Sequence, residues 1–89
     1  MSPEYTVGLT RAAVKEIARL PPKIRGQIDR RLDELRTTPR PHDARRLVGR
    51  GKGYRLDVGE YRILYDVDDP ARLVVIWRVK HRKDVYRNL

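Results

Sequence analysis

Apolar residues recur with two different periods along this 89-residue chain, and the change of period divides it into a helical part and a strand part. Over residues 11–20 and 22–35 they return every three to four positions, which predicts two amphipathic helices. From residue 54 onward apolar and polar residues alternate, as in strands with one buried face. The pattern therefore predicts a protein in which helices precede most of a sheet.

A short strand and a helical hairpin are predicted for the N-terminal part. Alternation over residues 5–9 indicates the strand, and Thr10 is a suitable N-cap for the first helix. The apolar stripe of that helix consists of Ala13, Val14, Ile17, Ala18 and Leu20.

Pro21 and Pro22 end the first helix and suit the start of a second helix. The second stripe consists of Ile24, Ile28, Leu32 and Leu35. Such a short link predicts an αα-hairpin.

Two of the later strands are predicted to pair around Gly59-Glu60, which suits a two-residue hairpin turn. With this turn, Val58 faces Tyr61 and Asp57 faces Arg62. The Tyr, Leu and Val side chains then share one face of the sheet. Arg55, Asp57 and Arg62 share the other. A slip of one residue would mix the two sets, so the pattern determines the register.

A third strand is predicted over residues 73–80, after a turn at residues 68–72. Continuing the alternation places Tyr65 opposite Val75 and Arg62 opposite Arg78. The fold class is therefore α+β with the order β-α-α-β-β-β. We expect one domain over residues 1–89, in which the helical hairpin packs on one face of a small antiparallel sheet and a short tail or helix follows.

The charge of the chain indicates what kind of partner it binds. The chain has 21 Lys and Arg residues against 12 Asp and Glu, a net charge of +9, which predicts a polyanionic partner. It has no cysteine, and its two histidines lie far apart, so we expect neither a metal site nor a cofactor. No apolar run is long enough for a membrane helix and no signal peptide is apparent, so we expect a cytoplasmic protein without a membrane partner.

Basic residues concentrate where the third strand ends. Residues 78–86 read Arg-Val-Lys-His-Arg-Lys-Asp-Val-Tyr, and this stretch either forms a solvated tail or delivers polar groups to a site. The predicted register places Arg78 beside Arg62, near Arg55. Like charges at opposite positions destabilise a sheet, so this arrangement favours an anion site. The basic loop at residues 42–53 supplies Arg46 and Lys52, either as phosphate contacts or as part of a solvated linker.

Five segments together carry a family resemblance. They are Tyr5-Thr6-Val7, Leu20-Pro21-Pro22, Gly53-Tyr54-Arg55-Leu56, the run from Gly59 to Tyr65, and the run from His81 to Arg87. In this order and spacing they resemble the RelE branch of the RelE/ParE superfamily of small bacterial toxins, over nearly the whole chain. The resemblance implies a toxin that is neutralised by a cognate antitoxin, expected to be acidic and partly helical.

For the RelE branch the resemblance also implies an endonuclease that cleaves mRNA in the ribosomal A site. Cleavage proceeds by attack of the 2′-hydroxyl and needs no metal. Two alternatives stay open at this point. One is a toxin of the ParE branch, which shares the fold but inhibits DNA gyrase. The other is a basic nucleic-acid-binding module whose affinity falls steeply with salt.

The resemblance assigns roles to individual residues. Arg62 would hold the scissile phosphate, and Arg82 and Arg55 would stabilise developing charge or assist the leaving group. Tyr86 would stack on a base or act as a base, unless its ring only packs on the sheet edge. His81 would supply acid–base chemistry, unless it is a solvent-exposed imidazole.

The remaining predicted RNA contacts are Arg78, Lys80, Lys52 and Arg46. Asp57 departs from the family pattern, because well-known members have a lysine there. This departure leaves the set of catalytic bases incomplete.

Overall fold

Seven elements make up the fold in a computed structural model that describes residues 4–49 and 51–87. They are β1 (Thr6–Leu9), α1 (Arg11–Ala18), α2 (Pro22–Glu34), β2 (Arg45–Arg46), β3 (Gly53–Val58), β4 (Tyr61–Asp68) and β5 (Leu73–His81). The predicted α+β class is confirmed. The two-residue strand β2 lies within the predicted basic loop, and is too short to produce any alternation in the sequence.

The sheet has the order β1-β5-β4-β3-β2 and is mixed rather than antiparallel. The β3–β4 and β4–β5 pairs are antiparallel, as predicted, and the unpredicted strand β2 also pairs antiparallel with β3. β1, however, pairs with β5 in parallel, so the prediction of a wholly antiparallel sheet is wrong. Alternation within a strand shows which face is buried but not which strand lies beside it, so the sequence could not reveal this pairing.

The helical hairpin begins and breaks where the sequence predicts. Thr10 caps α1, and its hydroxyl accepts a hydrogen bond from the Ala13 N–H at 3.1 Å. Pro22 is the first residue of α2. α1 ends at Ala18, because the next turn tightens into bonds between residues three apart. Val14 was predicted to lie in the apolar stripe, but it is 53% exposed and lies on the solvent side.

The main core lies between the helical hairpin and one face of the sheet. Ile28 and Leu35 from the helical region pack there with strand residues such as Leu56 and Ile63. Tyr65 is also fully buried, and its hydroxyl donates to the Pro39 carbonyl at 2.9 Å. Burial raises the pKa of this phenol above its ordinary value. Within residues 4–49 and 51–87, neither helix has the length and apolar character of a membrane span.

The predicted β3–β4 register is confirmed at every position compared. Val58 faces Tyr61 and Asp57 faces Arg62. Gly59 adopts φ +56°, in the left-handed region that favours glycine, and so closes the turn without strain. Arg55 and Arg62 therefore lie on the sheet face away from the helices, as the alternation indicates.

The predicted β4–β5 register is wrong because a β-bulge interrupts the pairing. Tyr65 faces Ile76 and Leu64 faces Arg78, which leaves Trp77 as an extra residue on β5. The intervening turn is also one residue shorter than predicted, since Asp68 already pairs with Leu73.

Two register changes follow from the shorter turn and the bulge. The shorter turn shifts every β5 residue by one position relative to β4. The bulge shifts the residues that follow it by one further position. Arg62 consequently faces Lys80 and not Arg78.

Helix α1 caps the edge of β5 that extends past the end of β1. The Thr10 N–H donates to the Ile76 carbonyl at 2.9 Å. Beyond it, Glu16 Oε1 accepts a hydrogen bond from the Val79 N–H at 2.8 Å. Its other oxygen lies 3.6 Å from Lys80 Nζ, and only 14% of the Glu16 side chain is exposed. Glu16 thus stabilises the strand immediately after the bulge.

We expect Glu16→Ala to lower the free energy of unfolding by about 1–3 kcal/mol, because the part-buried Val79 N–H loses its acceptor. Glu16→Gln keeps an oxygen acceptor and should lose less. Urea unfolding of the two variants and the wild type measures the difference. Equal losses in both variants would show that the attraction to Lys80, and not the amide bond, is the stabilising contact.

Candidate functional site

The sheet face away from the helices carries two rows of mostly charged residues, which we call the cationic face. The first row crosses β3, β4 and β5 and consists of Asp57, Arg62 and Lys80. The second row crosses β2 to β5 and consists of Arg45, Arg55, Leu64 and Arg78. Within these two rows, cross-strand pairing gathers five cations around a single acid, while Asp66 and Asp68 lie further along β4 on the same face.

Arg62 is the most firmly held cation of the first row. Its Nε lies 3.1 Å from Asp57 Oδ1, and its Nη1 donates to the carbonyls of Gly59 at 2.9 Å and Tyr61 at 3.0 Å. The same Asp57 oxygen lies 2.9 Å from Arg55 Nε. Only 17% of the Arg62 side chain is exposed. These contacts fix the guanidinium in place before any ligand binds.

Lys80 lies directly opposite Arg62 and completes a pair of adjacent cations. Like charges at opposite positions destabilise a sheet, and an anion bound between them would remove that repulsion. Asp57 and Glu16 flank the pair on its two sides. The Lys80 side chain is 38% exposed, so its ammonium remains accessible. This pair can hold a phosphate group.

A C-terminal turn covers part of the second row. Residues 82–87 follow β5 as turns, and the Val85 N–H donates to the His81 carbonyl at 3.0 Å, one helical turn back. Val85 and Leu64 are both fully buried, yet neither belongs to the helix-side core. Arg78 Nη1 donates to the Arg87 carbonyl at 3.1 Å. The segment is therefore a folded turn rather than a solvated tail.

Tyr86 lies at the margin of the cationic face with 51% of its surface exposed. Its hydroxyl accepts a hydrogen bond from Arg55 Nη1 at 3.4 Å. This bond, together with the charge of Asp57, raises the pKa of Arg55 above its ordinary value, so that guanidinium stays charged. The phenol thus lies beside a fixed cation and faces solvent, where a ligand can reach it.

Arg82 and His81 lie outside both rows. Arg82 Nε pairs with Glu60 Oε2 at 2.5 Å, at the turn between β3 and β4. His81 faces Tyr61, with the rings in edge contact at 5.5 Å, because the bulge turns it toward the helix side. Its Nδ1 accepts a hydrogen bond from the Lys83 N–H at 3.2 Å. The register therefore places Lys80 opposite Arg62, whereas Arg82 follows the last paired position of β5.

Two further predicted RNA contacts lie away from the cationic face. Arg46 pairs with Tyr54 on the helix side, with its guanidinium 5.9 Å from the ring centroid. Lys52 Nζ lies 3.8 Å from Asp68 Oδ2, at the end of the hairpin opposite Gly59. Their common loop does not bring either side chain to Arg62. Within the described ranges, no group of His, Cys, Asp or Glu is arranged to hold a metal ion.

Sequence reasoning missed Arg45. It faces Arg55 across β2 and β3 and extends the second row to the sheet edge. No pattern in the sequence could have revealed it, because the strand has only two residues and both are arginine. Without the pairing to β3, Arg45 and Arg46 are indistinguishable.

The chain is similar to toxins of type II toxin–antitoxin systems. A family model described as the ParE toxin of the type II toxin–antitoxin system parDE matches residues 7–86. Toxin RelG of Mycobacterium tuberculosis is 37% identical over 89 residues, which cover 93% of this chain and 97% of RelG.

Solved structures show the same fold. The toxin–antitoxin complex RelBE2 of M. tuberculosis contains a chain with 32% identity and a TM-score of 0.78, with 89% of this chain and 99% of that chain covered. A chain in the archaeal RelE–RelB complex of Pyrococcus horikoshii OT3 has 28% identity and a TM-score of 0.80, with 91% and 98% covered.

We expect Asp57→Asn to bind polyanions more tightly than the wild type, because Arg55 and Arg62 lose their shared counter-charge. Elution from heparin at rising salt concentration measures the change. Asp29→Asn is the matched control, since it removes the same charge from an exposed position on α2. If both variants shift elution equally, total charge rather than the cationic face determines the affinity.

Proposed function

The chain belongs to the ParE toxin family and is the toxin of a type II toxin–antitoxin system, and from this premise we propose that it cleaves mRNA in the ribosomal A site. The observation that carries the proposal is the pair formed by Arg62 and Lys80, with Tyr86 nearby on the same face. The similarity to proteins named as RelE or RelG toxins also favours RNA cleavage over gyrase inhibition.

The proposed reaction is attack of a ribose 2′-hydroxyl on the adjacent phosphate, which expels the 5′-oxygen of the next nucleotide. Negative charge accumulates on the phosphorane oxygens during this step. Nε and Nη1 of Arg62 are held by Asp57 and two carbonyls, so the proposed phosphate contact is made through Nη2, and Lys80 adds a point charge from the neighbouring strand. Because Arg62 is held by three contacts beforehand, little reorganisation is needed when the charge develops.

Tyr86 and Arg55 form the second part of the proposed site. The exposed phenol is placed to stack on a base beside the scissile bond or to take the proton of the 2′-hydroxyl. Arg55 anchors the hydroxyl end of the ring at 3.4 Å, which limits its rotation. Arg78 and Leu64 support the turn that carries Tyr86, so we assign Arg78 to positioning rather than to RNA contact.

We propose three roles that differ from those the resemblance implies. Lys80 takes the charge-stabilising role expected of Arg82, since it lies opposite Arg62. Arg82, paired with Glu60 at the turn, is proposed to contact RNA backbone outside the scissile phosphate. We assign no proton transfer to His81, because its ring faces Tyr61 on the other side of the sheet.

We further propose that a cognate antitoxin holds this toxin inactive. Two of the similar structures are toxin–antitoxin complexes. An acidic, partly helical segment would complement the two rows of the cationic face, where five cations surround one acid. Such a segment would compete directly with RNA for Arg62 and Lys80.

We expect Arg62→Ala and Lys80→Ala to reduce A-site cleavage by about 10²–10³-fold each, since each removes a preorganised positive charge from the transition state. Arg82→Ala should reduce it less. Primer extension on mRNA in a translating extract maps the cuts. Lys23→Ala, at an exposed position on the first turn of α2, is the charge-matched control.

Two results would contradict the proposal. Wild-type protein that leaves mRNA intact while gyrase–DNA breaks accumulate would instead assign the chain to gyrase inhibition. Cuts that persist unchanged in Arg62→Ala and Lys80→Ala, with both variants folded by circular dichroism, would remove the cationic pair from the mechanism.

A further inference from the structure

Arg45 and Arg78 are the cations of the cationic face that form no ion pair within the described residues, and Arg78 is half-buried and donates to the Arg87 carbonyl. Arg55 and Arg62 share Asp57, and Lys80 lies near Glu16. Arg45 is exposed and forms no ion pair with any carboxylate of the described residues. Its positive charge is therefore fully available to a ligand.

Arg45 also lies directly opposite Arg55, its neighbour across the β2–β3 ladder. Two like charges at opposite positions weaken a strand pair, and β2 has only two residues with which to offset that repulsion. A phosphate between the two guanidinium groups would convert this repulsion into attraction. Each group offers paired N–H donors that match phosphate oxygens.

We propose that Arg45 and Arg55 form a second phosphate subsite, which holds a phosphate of the RNA strand that flanks the scissile one. This inference rests on the proposed function, because it takes Arg62 and Lys80 as the site of the scissile phosphate. The subsite lies on the Tyr86 side of that pair, so the ring would lie between the two phosphates.

The spacing of the two sites fits a single strand of RNA. Adjacent strands lie about 4.8 Å apart and two residues span about 6.6 Å, so the backbones of Arg45 and Arg62 are roughly 12 Å apart. An extended RNA strand covers such a distance in one or two nucleotides. Arg55 lies between them and can contribute to either phosphate.

Arg46 provides an internal control. It is adjacent to Arg45 in the chain and carries the same charge, but it lies over Tyr54 on the opposite face and donates to the Gly51 carbonyl at 2.6 Å. Arg45→Gln and Arg46→Gln therefore change the net charge equally and differ only in the face affected.

The test is the affinity of the full chain for single-stranded RNA oligonucleotides that lengthen by one nucleotide at a time. A 2′-deoxy sugar at the cut site prevents cleavage, and fluorescence anisotropy reports binding. We expect the wild type to gain about tenfold in affinity when the flanking phosphate is added. Arg45→Gln should lose this gain, whereas Arg46→Gln should keep it. In a plot of log affinity against log salt concentration, the slope for Arg45→Gln should also be shallower by about 0.7. Arg45→Lys, which keeps the charge but not the fork, should fall between them.

The subsite proposal would be overturned if Arg45→Gln and Arg46→Gln bound the oligonucleotides equally well. It would also be overturned if the affinity of the wild type did not rise when the flanking phosphate is added. The proposed function is judged separately by A-site cleavage. If cleavage depends on Arg62 and Lys80 but the affinity shows no Arg45-dependent gain, the proposed function holds and the subsite does not. An Arg45-dependent step in a protein that does not cut mRNA leaves the subsite standing without the function.

Discussion

An extra residue in β5 determines which side chains meet on the cationic face. With Trp77 inserted between Ile76 and Arg78, the end of the strand pairs one position further along β4, in addition to the shift of one position that the shorter turn causes. Val79 then enters the core, while Lys80 lies opposite Arg62. The bulge is maintained from the far side by Glu16, which accepts the Val79 N–H. A contact between a helix and a strand edge therefore sets the geometry of the site on the opposite face.

Acidic residues hold the cations in position without removing the positive potential of the face. Asp57 contacts two guanidinium groups, Glu16 lies near Lys80, and Glu60 pairs with Arg82. A long basic side chain loses much rotamer freedom when it binds a ligand, and an existing partner has already restricted it. Because these acids are fewer than the cations they restrain, the net charge still favours an anion. Asp57 lowers the positive charge of the face and in return holds two guanidinium groups in place.

The alternation of apolar residues and the Gly59-Glu60 turn suffice to predict the α+β class and the β3–β4 register, because both depend on local pattern. Three features could not be predicted, each for a physical reason. Trp77 continues an apolar run, so nothing in the sequence marks it as an extra residue. The parallel pairing of β1 depends on contacts distant in the chain, and a strand as short as β2 has no period.

The same reasons explain what could be predicted of the candidate site. Arg55 and Arg62 lie together because their strands form a local hairpin with a determined register. The position of Lys80 opposite Arg62 depends on the shorter turn and the bulge, so this pairing could only be seen in the structure. Arg46 and Lys52 are basic residues of a loop, and composition alone does not determine the direction of a loop side chain. Arg45 depends entirely on the pairing of a strand that was not predicted.

The cap that α1 places over β5 also occupies a stretch of strand edge on which another chain could pair. Past Leu9, β5 has no neighbouring strand on its outer side, and such an exposed edge is a template on which another chain can add a strand. Thr10 and Glu16 occupy backbone groups of that edge, which removes the hydrogen bonds that an added strand would need. This part of the sheet edge is thus closed to a strand from another copy, while the broad face of the same sheet stays open to polyanions.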